Sequence, residues 1–523
     1  MPASKSSKSS PTSKKLVKRG QGRKSSSAPV GGMPWGVLLF LAALSSAAVL
    51  YFWRQGYLLW YGDATAHLNI ARRILDGRHP GYEQIGTVWL PLPHVLMMPF
   101  AAVDALWRSG LAGAIPSAAC FVAAGLLLYL IARQCFQSKQ AGWAAVLLFA
   151  LNPNMLYLQA LAMTEAIFVC AVLLVLWASL RDKPWLAGLG LLAATLTRYE
   201  GWFLIPFVCL YFFWRDRWAG ILVGLIASAG PLYWLGHNYV FHGDPLDFYH
   251  GVGSAKWIYQ QAIEKGYERA PGDGDWWTAI RYYAMAGRLF AGLPLVCAGL
   301  AGMGLALWKR AWWAVFFLLL GPLFFVWSMH GSGATIFVPN LHPHSYYNTR
   351  YGMIVLPLLA LCAAAIPAVM PEGAKKWAAV AVVAIGICPW VAYPKQQNWV
   401  TWKESEVNSE ARREWTAQAA AYLRERYVPG RGIVAHFGDQ SAIFREAGIP
   451  FRQTVHDGDG LYFQGILQRP DLFLWQEWVV AVAGDGLSKS MAANAGKLRR
   501  YSRVKMIETK DARAIEIWRR AAP

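Results

Sequence analysis

The sequence is organised around long runs of apolar residues separated by short charged segments. Runs such as 36–53, 121–132 and 311–329 approach or reach the ~20 residues needed to cross the hydrocarbon core of a bilayer. Several of these runs carry no charge, which is typical of membrane-spanning helices. The pattern predicts eleven spans, within a range of eleven to thirteen, at residues 34–53, 115–134, 141–157, 163–180, 185–199, 200–214, 218–241, 285–307, 311–329, 351–370 and 376–393.

Short basic loops assign a side of the membrane to each turn. They recur at Arg133–Lys139, Arg181–Lys183, Arg215–Arg217, Lys309–Arg310 and Lys375–Lys376. Such loops favour the cytoplasm, so the N-terminus is predicted inside and the C-terminal region outside. There is one further apolar stretch, Trp89–Trp107. If it crossed the membrane fully, every later loop would be assigned to the opposite side of the membrane. Its three prolines favour a re-entrant or interfacial segment.

The hydropathy pattern also divides the chain into three parts. Residues 1–32 are predicted to be a disordered basic tail in the cytoplasm. Residues 33–395 form the membrane module, whose long outer segments are expected at 54–116, 242–284 and 330–350. In residues 396–523 the pattern becomes more polar. It predicts a helix over 404–427, strands near 432–437 and 477–483, and a terminal hairpin around Lys510-Asp511. This pattern predicts a small α/β domain outside the membrane.

Composition and charge support a membrane protein and argue against nucleic-acid binding. The 523 residues are 56% hydrophobic and 15% charged. The net charge of +20 is concentrated at the N-terminus, where the first 24 residues hold eight Lys or Arg and no acid. That tail leads into the first apolar run and predicts a cytoplasmic anchor. A cleaved signal peptide is the alternative. The seven cysteines lie in or beside apolar segments and predict core packing, not disulfides.

Asp63 is the first acidic residue of the chain, ten residues after the first predicted span ends. On a helix that begins near Asp63, His67 falls one turn further along the same face. The pair predicts a catalytic carboxylate and a substrate-binding imidazole that converge on one ligand. The alternative is that Asp63 only caps a juxtamembrane helix.

Two further charged groups lie at predicted outer boundaries of spans. Glu165 begins one span, and a carboxylate there is costly unless it faces a cavity, so it is predicted to be a second catalytic carboxylate. A capping glutamate beside Thr164 is the alternative. Arg198 and Glu200 lie in the turn between two short spans, where a substrate-binding role and simple mutual pairing both remain open.

The segment His342–Arg350 concentrates donors and cations just before another predicted span. His342, His344, Tyr346 and Tyr347 precede Arg350, whose guanidinium fork suits a phosphate. An aromatic and basic interface belt is the alternative. His342 and His344 also leave a divalent metal open as a cofactor, although a bare His-Pro-His is weak support.

The order of these motifs resembles the GT-C glycosyltransferases, in particular the bacterial branch related to dolichyl-phosphate-mannose protein mannosyltransferases and aminoarabinose transferases (glycosyltransferase family 39). The resemblance covers most of residues 34–393. It rests on the shared order of Gly62-Asp-Ala, Trp89-Leu-Pro-Leu-Pro-His, Ala132-Arg-Gln-Cys-Phe, Asn152-Pro, Met163-Thr-Glu, Thr197-Arg-Tyr-Glu-Gly and Asn348-Thr-Arg-Tyr-Gly.

The resemblance implies an inverting transfer from a polyprenyl-phosphate sugar to a lipid, glycan or protein acceptor, with Asp63 as the base. Ala64 follows Asp63 where the mannosyltransferase branch has an Asp-Glu pair, which argues against mannose and a protein hydroxyl. The chain is therefore expected to be a glycosyltransferase of a bacterial inner membrane, in contact with membrane lipids. A multi-span transporter or an assembly protein of an envelope polysaccharide pathway is the alternative.

Overall fold

The computed structural model describes residues 33–438 and 440–521, and these are mostly α-helical. The helices up to residue 213 are α1 (Trp35–Arg54), α2 (Gly62–Asp76), α3 (Leu92–Ala101), α4 (Asp104–Ser109), α5 (Leu111–Phe136), α6 (Lys139–Ala150), α7 (Pro153–Leu158), α8 (Glu165–Leu180), α9 (Pro184–Thr195) and α10 (Glu200–Phe213). Those up to residue 392 are α11 (Arg217–His242), α12 (Asp247–His250), α13 (Ala255–Glu264), α14 (Trp276–Ala291), α15 (Leu293–Trp308), α16 (Trp312–His330), α17 (Leu356–Ala363), α18 (Ala365–Ala368) and α19 (Glu372–Ala392).

Within residues 33–438 and 440–521, six apolar helices are long enough to cross a bilayer, or seven if the bent pair α14–α15 counts as one span. They are α1, α5, α11, α16, α19 and the continuous segment Thr349–Ala368, which begins as a 3₁₀ helix and continues through α17 and α18. Each matches a predicted span, so the chain is a multi-pass membrane protein. The other predicted spans correspond to shorter helices. The 16 residues of α8, for example, extend about 24 Å, less than the ~30 Å of a bilayer core.

The predicted span 285–307 is wrong as a single helix. It comprises the end of α14 and the whole of α15, which meet at an angle of 108°. Gly292 between them has φ +84°, a backbone conformation that favours glycine, and Pro294 stands in the first turn of α15. The break is therefore set by these two residues within an otherwise apolar run.

The stretch Trp89–Trp107 does not form a span. It contains α3, which has 10 residues, and the beginning of α4. Pro91 and Pro93 stand at the start of α3, where the missing N–H groups cost nothing. A helix of this length rises only about 15 Å, so the stretch cannot cross the bilayer by itself.

Small residues allow the helices of the membrane module to approach closely. A Cβ on Gly113 of α5 would come within 2.4 Å of the Ala162 backbone, and one on Gly302 of α15 within 2.1 Å of the Cys362 carbonyl oxygen. Close backbone approach at glycine is a common way of packing helices where no hydrophobic effect drives them together.

The C-terminal region forms the predicted small α/β unit. Its elements are α20 (Val400–Val407), α21 (Glu410–Arg426), β1 (Ile433–Ala435), α22 (Ser441–Ala447), β2 (Thr454–Val455), α23 (Leu461–Gln468), α24 (Pro470–Phe473), β3 (Trp478–Val482), α25 (Gly486–Ala493), β4 (Tyr501–Ile507) and β5 (Ile515–Arg520). The strand order is β2-β1-β3-β5-β4, with β1 parallel to β2 and β3. The predicted terminal hairpin is the antiparallel pair β4–β5. The predicted helix over 404–427 is two helices, interrupted at Asn408-Ser409.

The boundary predicted at residue 396 is not a break in packing. The Thr401 amide in α20 donates to Asn154 Oδ1 of the membrane module at 3.1 Å, and Ser405 Oγ lies 2.8 Å from Tyr157 Oη. Helix α22 also contacts α2, since Asn69 donates to Ser441 Oγ at 2.8 Å. Helix α20 thus packs against α7 of the membrane module, and α22 packs against α2.

Candidate active site

Helix α2 places Asp63 at the rim of a buried charged cluster. The helix begins at Gly62, with Tyr61 in the N-cap position, so Asp63 lies in the first turn and is not the cap. Its side chain is 40% exposed and contacts the guanidinium of Arg350. A carboxylate in the first turn is favoured by the helix dipole. The position leaves Asp63 accessible to a ligand while it is held by a cation.

Arg350 is the centre of the cluster and contacts three carboxylates. It lies in the 3₁₀ helix Thr349–Val355, and its side chain is 8% exposed. Its Nε donates to Glu165 Oε1 at 3.1 Å, its Nη1 to Glu404 Oε1 at 3.4 Å, and its Nη2 to Asp63 Oδ2. The planar fork of guanidinium donors suits this task, because several oxygens can be contacted in fixed directions.

Glu165 is fully buried in the first turn of α8 and is held by two arginines. Besides Arg350, Arg198 Nη1 lies 3.4 Å from Glu165 Oε1 and donates to Thr164 Oγ1 at 2.8 Å. Arg198 Nε also donates to Glu200 Oε1 at 2.7 Å. The mutual pairing of Arg198 with Glu200 therefore occurs, and Arg198 also joins the cluster through Glu165. Thr164 makes no side-chain cap, so the capping interpretation of this pair is wrong.

Within the described residues, Glu165 Oε2 is buried without a hydrogen-bond partner. An unsatisfied buried carboxylate oxygen is costly, and such atoms often mark a functional position. Among the residues that the structure describes, the four carboxylates of the cluster face two guanidinium groups, on Arg198 and Arg350. The cluster thus has more carboxylates than guanidinium groups. A hydrogen-bond donor on a ligand, or a bound proton, can offset the excess negative charge.

Glu404 is the member of the cluster that the sequence did not single out. It lies on α20, and its Oε1 accepts the amide of Asn348 at 3.0 Å while Oε2 accepts the amide of Thr349 at 2.8 Å. The Thr349 hydroxyl also donates to Oε2. Burial raises the pKa of Glu404, and the neighbouring Arg350 acts in the opposite direction. Glu404 therefore fixes the backbone that carries Arg350.

His67 is close to the cluster but turned toward another histidine. Its Nδ1 shares a hydrogen bond of 2.9 Å with His94 Nε2, and its ring lies against Trp89 at 4.5 Å. Burial and the positive charge of Arg350 lower the pKa of His67 to about 3. The imidazole is therefore neutral, and the predicted convergence of His67 with Asp63 on one ligand is not seen.

The two histidines predicted just before Arg350 lie outside the cluster, whereas Tyr347 lies beside it, near Asp63 and Arg350. His342 Nε2 contacts Glu268 Oε2 at 3.3 Å, and both side chains are exposed. His344 Nδ1 donates to the Pro339 carbonyl at 2.9 Å. Tyr346 and Tyr347 belong to the same surface segment, where the Tyr346 carbonyl accepts from Asn408 and Tyr347 is bridged to Phe337.

The described residues do not form a site that suits a metal ion. No group of three His, Cys, Asp or Glu side chains is arranged as ligands within residues 33–438 and 440–521. The acids of the cluster are bridged by guanidinium groups, which occupy the positions between the carboxylates. The proposed pair His342 and His344 is divided between two separate partners.

Comparison with known proteins identifies the architecture. Residues 101–234 match the family profile described as dolichyl-phosphate-mannose-protein mannosyltransferase. The structure is similar to that of ArnT from Cupriavidus metallidurans in the apo state, with a TM-score of 0.54 and 14% identity over 93% of this chain and 98% of that chain. The chain has the GT-C glycosyltransferase fold. The resemblance inferred from the order of motifs is thereby confirmed.

A second solved structure with this GT-C fold is ArnT from Cupriavidus metallidurans bound to undecaprenyl phosphate. It aligns with a TM-score of 0.52 and 13% identity over 92% of this chain and 98% of that chain. No curated protein matches the sequence. The profile match contains Glu165, Arg198 and Glu200 but none of Asp63, Arg350 and Glu404. Half of the charged cluster therefore lies outside the profile match.

Proposed function

We propose that this GT-C protein is an inverting glycosyltransferase that moves a sugar from a polyprenyl-phosphate carrier to a lipid, glycan or protein acceptor at the outer face of a bacterial inner membrane. The observation that carries the proposal is the charged cluster. It combines one accessible carboxylate, Asp63, with a buried guanidinium, Arg350, at the ends of membrane helices. This is the pair of groups that such a transfer requires, a base and a phosphate holder.

The positions of the helix ends support the outer face. Glu165 and Glu200 begin α8 and α10, whereas Arg181 and Arg215 directly follow the same two helices. The cluster and the basic loops therefore lie at opposite ends of these helices. Since basic loops favour the cytoplasm, the cluster belongs on the outer side. Helix α20 contributes Glu404 to the cluster, which supports an outer position for the C-terminal unit as well.

Asp63 is the carboxylate best suited to act as the base. Its side chain is 40% exposed, whereas the side chains of Glu165 and Glu404 are 1% and 2% exposed. Glu404 also accepts three bonds from Asn348 and Thr349. An acceptor hydroxyl can approach Asp63 without displacing other parts of the cluster.

Arg350 is the best candidate to hold the carrier phosphate. A phosphate that approaches this guanidinium competes with Asp63 for its Nη2 donor. Bidentate contacts to phosphate are a common use of arginine. Binding of the polyprenyl-phosphate sugar would thus transfer the Arg350 contact from Asp63 to the phosphate. The Asp63 carboxylate would then be free to accept a proton.

The proposed reaction balances with these two groups. The acceptor oxygen forms a bond to the anomeric carbon while the bond from that carbon to the phosphate oxygen breaks. The electron pair leaves with the polyprenyl phosphate, whose negative charge is met by Arg350. The proton of the acceptor hydroxyl passes to Asp63, and the configuration at the anomeric carbon is inverted. The structure of ArnT with undecaprenyl phosphate supports the carrier class, since that protein has the same fold.

Asp63→Asn tests the proposal, with Glu268→Gln as the matched control on an exposed acid of the predicted outer segment 242–284. Lipids that co-purify with each protein from its own host membrane are extracted and identified by mass spectrometry. Asp63→Asn should retain intact polyprenyl-phosphate sugar, because turnover is lost while binding persists. The wild type and the control should carry mainly sugar-free polyprenyl phosphate. Equal lipid profiles in all three proteins, with Asp63→Asn folded, would remove Asp63 as the base.

A further inference from the structure

A cavity opens where the beginning of α1 meets the junction of α5 and α6. Its volume is about 350 Å³, and its walls include Pro34, Val37, Tyr129, Arg133, Lys139 and Trp143. Clefts of ~300–1,000 Å³ are typical of sites for small ligands. The cavity is therefore large enough to admit a polar headgroup.

This cavity is separate from the charged cluster. Arg181, which follows α8, donates to Gln134 Oε1 at 2.8 Å, so the ends of α5 and α8 are adjacent. Glu165 stands at the other end of α8, which has 16 residues and is about 24 Å long. The cavity thus lies on the side of the basic loops.

Two cations border the cavity, and neither has a partner among the described residues. Arg133 lies in the last turn of α5, and Lys139 is the first residue of α6. Neither side chain forms a hydrogen bond or an ion pair with any other residue in the described portion of the chain. No Asp or Glu lines the cavity. The N-terminal end of α6 adds the positive end of its helix dipole. The local potential therefore favours an anion.

The remaining walls are aromatic and lead to an apolar surface. Trp143 packs edge-on against Tyr129 at 6.0 Å and against Phe40 at 6.2 Å. Phe40 is only partly buried on α1, so the aromatic wall extends along this helix. Tryptophan and tyrosine are typical of the membrane interface. A ligand in this cavity would have its polar part among cations and its apolar part beside α1.

We propose that the cavity binds the phosphate headgroup of an anionic membrane lipid. Arg133 and Lys139 would contact the phosphate, and the acyl or polyprenyl chain would lie along α1 beside Phe40. Basic pockets between membrane helices on the cytoplasmic side are suited to phosphate headgroups. A soluble anion would gain nothing from the aromatic wall formed by Phe40 and Trp143. The proposal does not depend on the function assigned to Asp63.

The test compares binding of three lipids to the full-length protein in detergent by native mass spectrometry. The lipids are phosphatidylglycerol, undecaprenyl phosphate and zwitterionic phosphatidylcholine. The variant is Arg133→Gln with Lys139→Gln. The control is Lys309→Gln with Arg310→Gln, which removes the same charge from another basic loop. Loss of two cations should weaken binding of an anionic lipid about 10- to 30-fold. The control and the phosphatidylcholine series should not change.

Each outcome decides between the proposal and its rejection. A loss for both anionic lipids supports a general phosphate site, and a loss for undecaprenyl phosphate alone supports a site for a carrier lipid. Unchanged binding of both lipids, or an equal loss in the control pair, overturns the proposal. If the double variant does not fold, the single substitution Lys139→Gln at an exposed residue gives the same comparison.

Discussion

Arg350 Nε lies 3.1 Å from Glu165 Oε1, although 185 residues separate the two in the sequence. The contact joins the 3₁₀ helix before α17 to the first turn of α8. The same guanidinium reaches α2 through Asp63 and α20 through Glu404. Four distant segments therefore meet at one side chain, which makes Arg350 the structural centre of the cluster.

Arg350→Lys should preserve folding and lower activity. Lysine keeps the charge but presents a compact ammonium in place of the planar fork, so it cannot contact several carboxylates or a phosphate in the same directions. We expect about a 100-fold loss of sugar transfer, the usual effect of removing one donor to a developing charge. Release of sugar-free carrier lipid measures the activity, and thermal unfolding in detergent reports on the fold.

Arg288→Lys provides the matched control, because Arg288 is exposed in the last turn of α14. It should retain wild-type activity. By contrast, Arg350→Ala should destabilise the protein by about 3–5 kcal/mol, since it leaves buried acids without their cation. An Arg350→Lys protein with full activity would contradict the role given to the guanidinium fork.

His67 provides a prediction about pH. Because its pKa is lowered to about 3 in the fold, the unfolded chain binds more protons below the ordinary pKa of ~6.5. His67 therefore stabilises the fold fully above about pH 6.5, and this contribution is lost as the pH falls toward 3. The loss amounts to at most about 1.4 kcal/mol for each pH unit.

The apparent Tm measured between pH 7 and pH 4.5 tests this sign. His67→Gln should lose less stability over that range than the wild type, although His94 remains. His79→Gln, at an exposed position in the loop after α2, should follow the wild-type curve. If His67→Gln also follows the wild-type curve, His67 is not held neutral by burial.

Much of the membrane module could be predicted, because its signals are local. The long apolar runs gave α1, α5, α11 and α16 to within a few residues, and alternating residues gave the β4–β5 hairpin. The prediction of 285–307 as one helix failed because hydropathy does not register the conformation of Gly292. Apolar runs report burial in lipid or protein, but they do not report where a helix bends.

The charged cluster was only partly predictable, because charge at a helix end does not reveal its partner. Asp63, Glu165, Arg198, Glu200 and Arg350 were all predicted and are brought together. His342 and His344 were predicted from the same local density of polar residues but face solvent. Glu404 was missed because its contact with Thr349 spans 55 residues and it lies in a stretch that looks like a soluble helix.

Glu404 gives the sharpest test of the link between the C-terminal unit and the site. Burial raises its pKa, so the folded chain holds this proton more tightly than the unfolded chain does. Its contribution to stability is complete below the ordinary value near 4.5 and is lost as the pH rises from there through the raised pKa. Glu404→Gln cannot ionise, so the difference in apparent Tm between wild type and variant should change over that window.

Glu404→Gln should also lower sugar transfer, because Arg350 loses the backbone anchor at Thr349. Glu406→Gln, two residues along the same helix and partly exposed beside Lys403, should show neither effect. A pH-independent difference in Tm together with unchanged transfer would show that α20 packs against the site without controlling it.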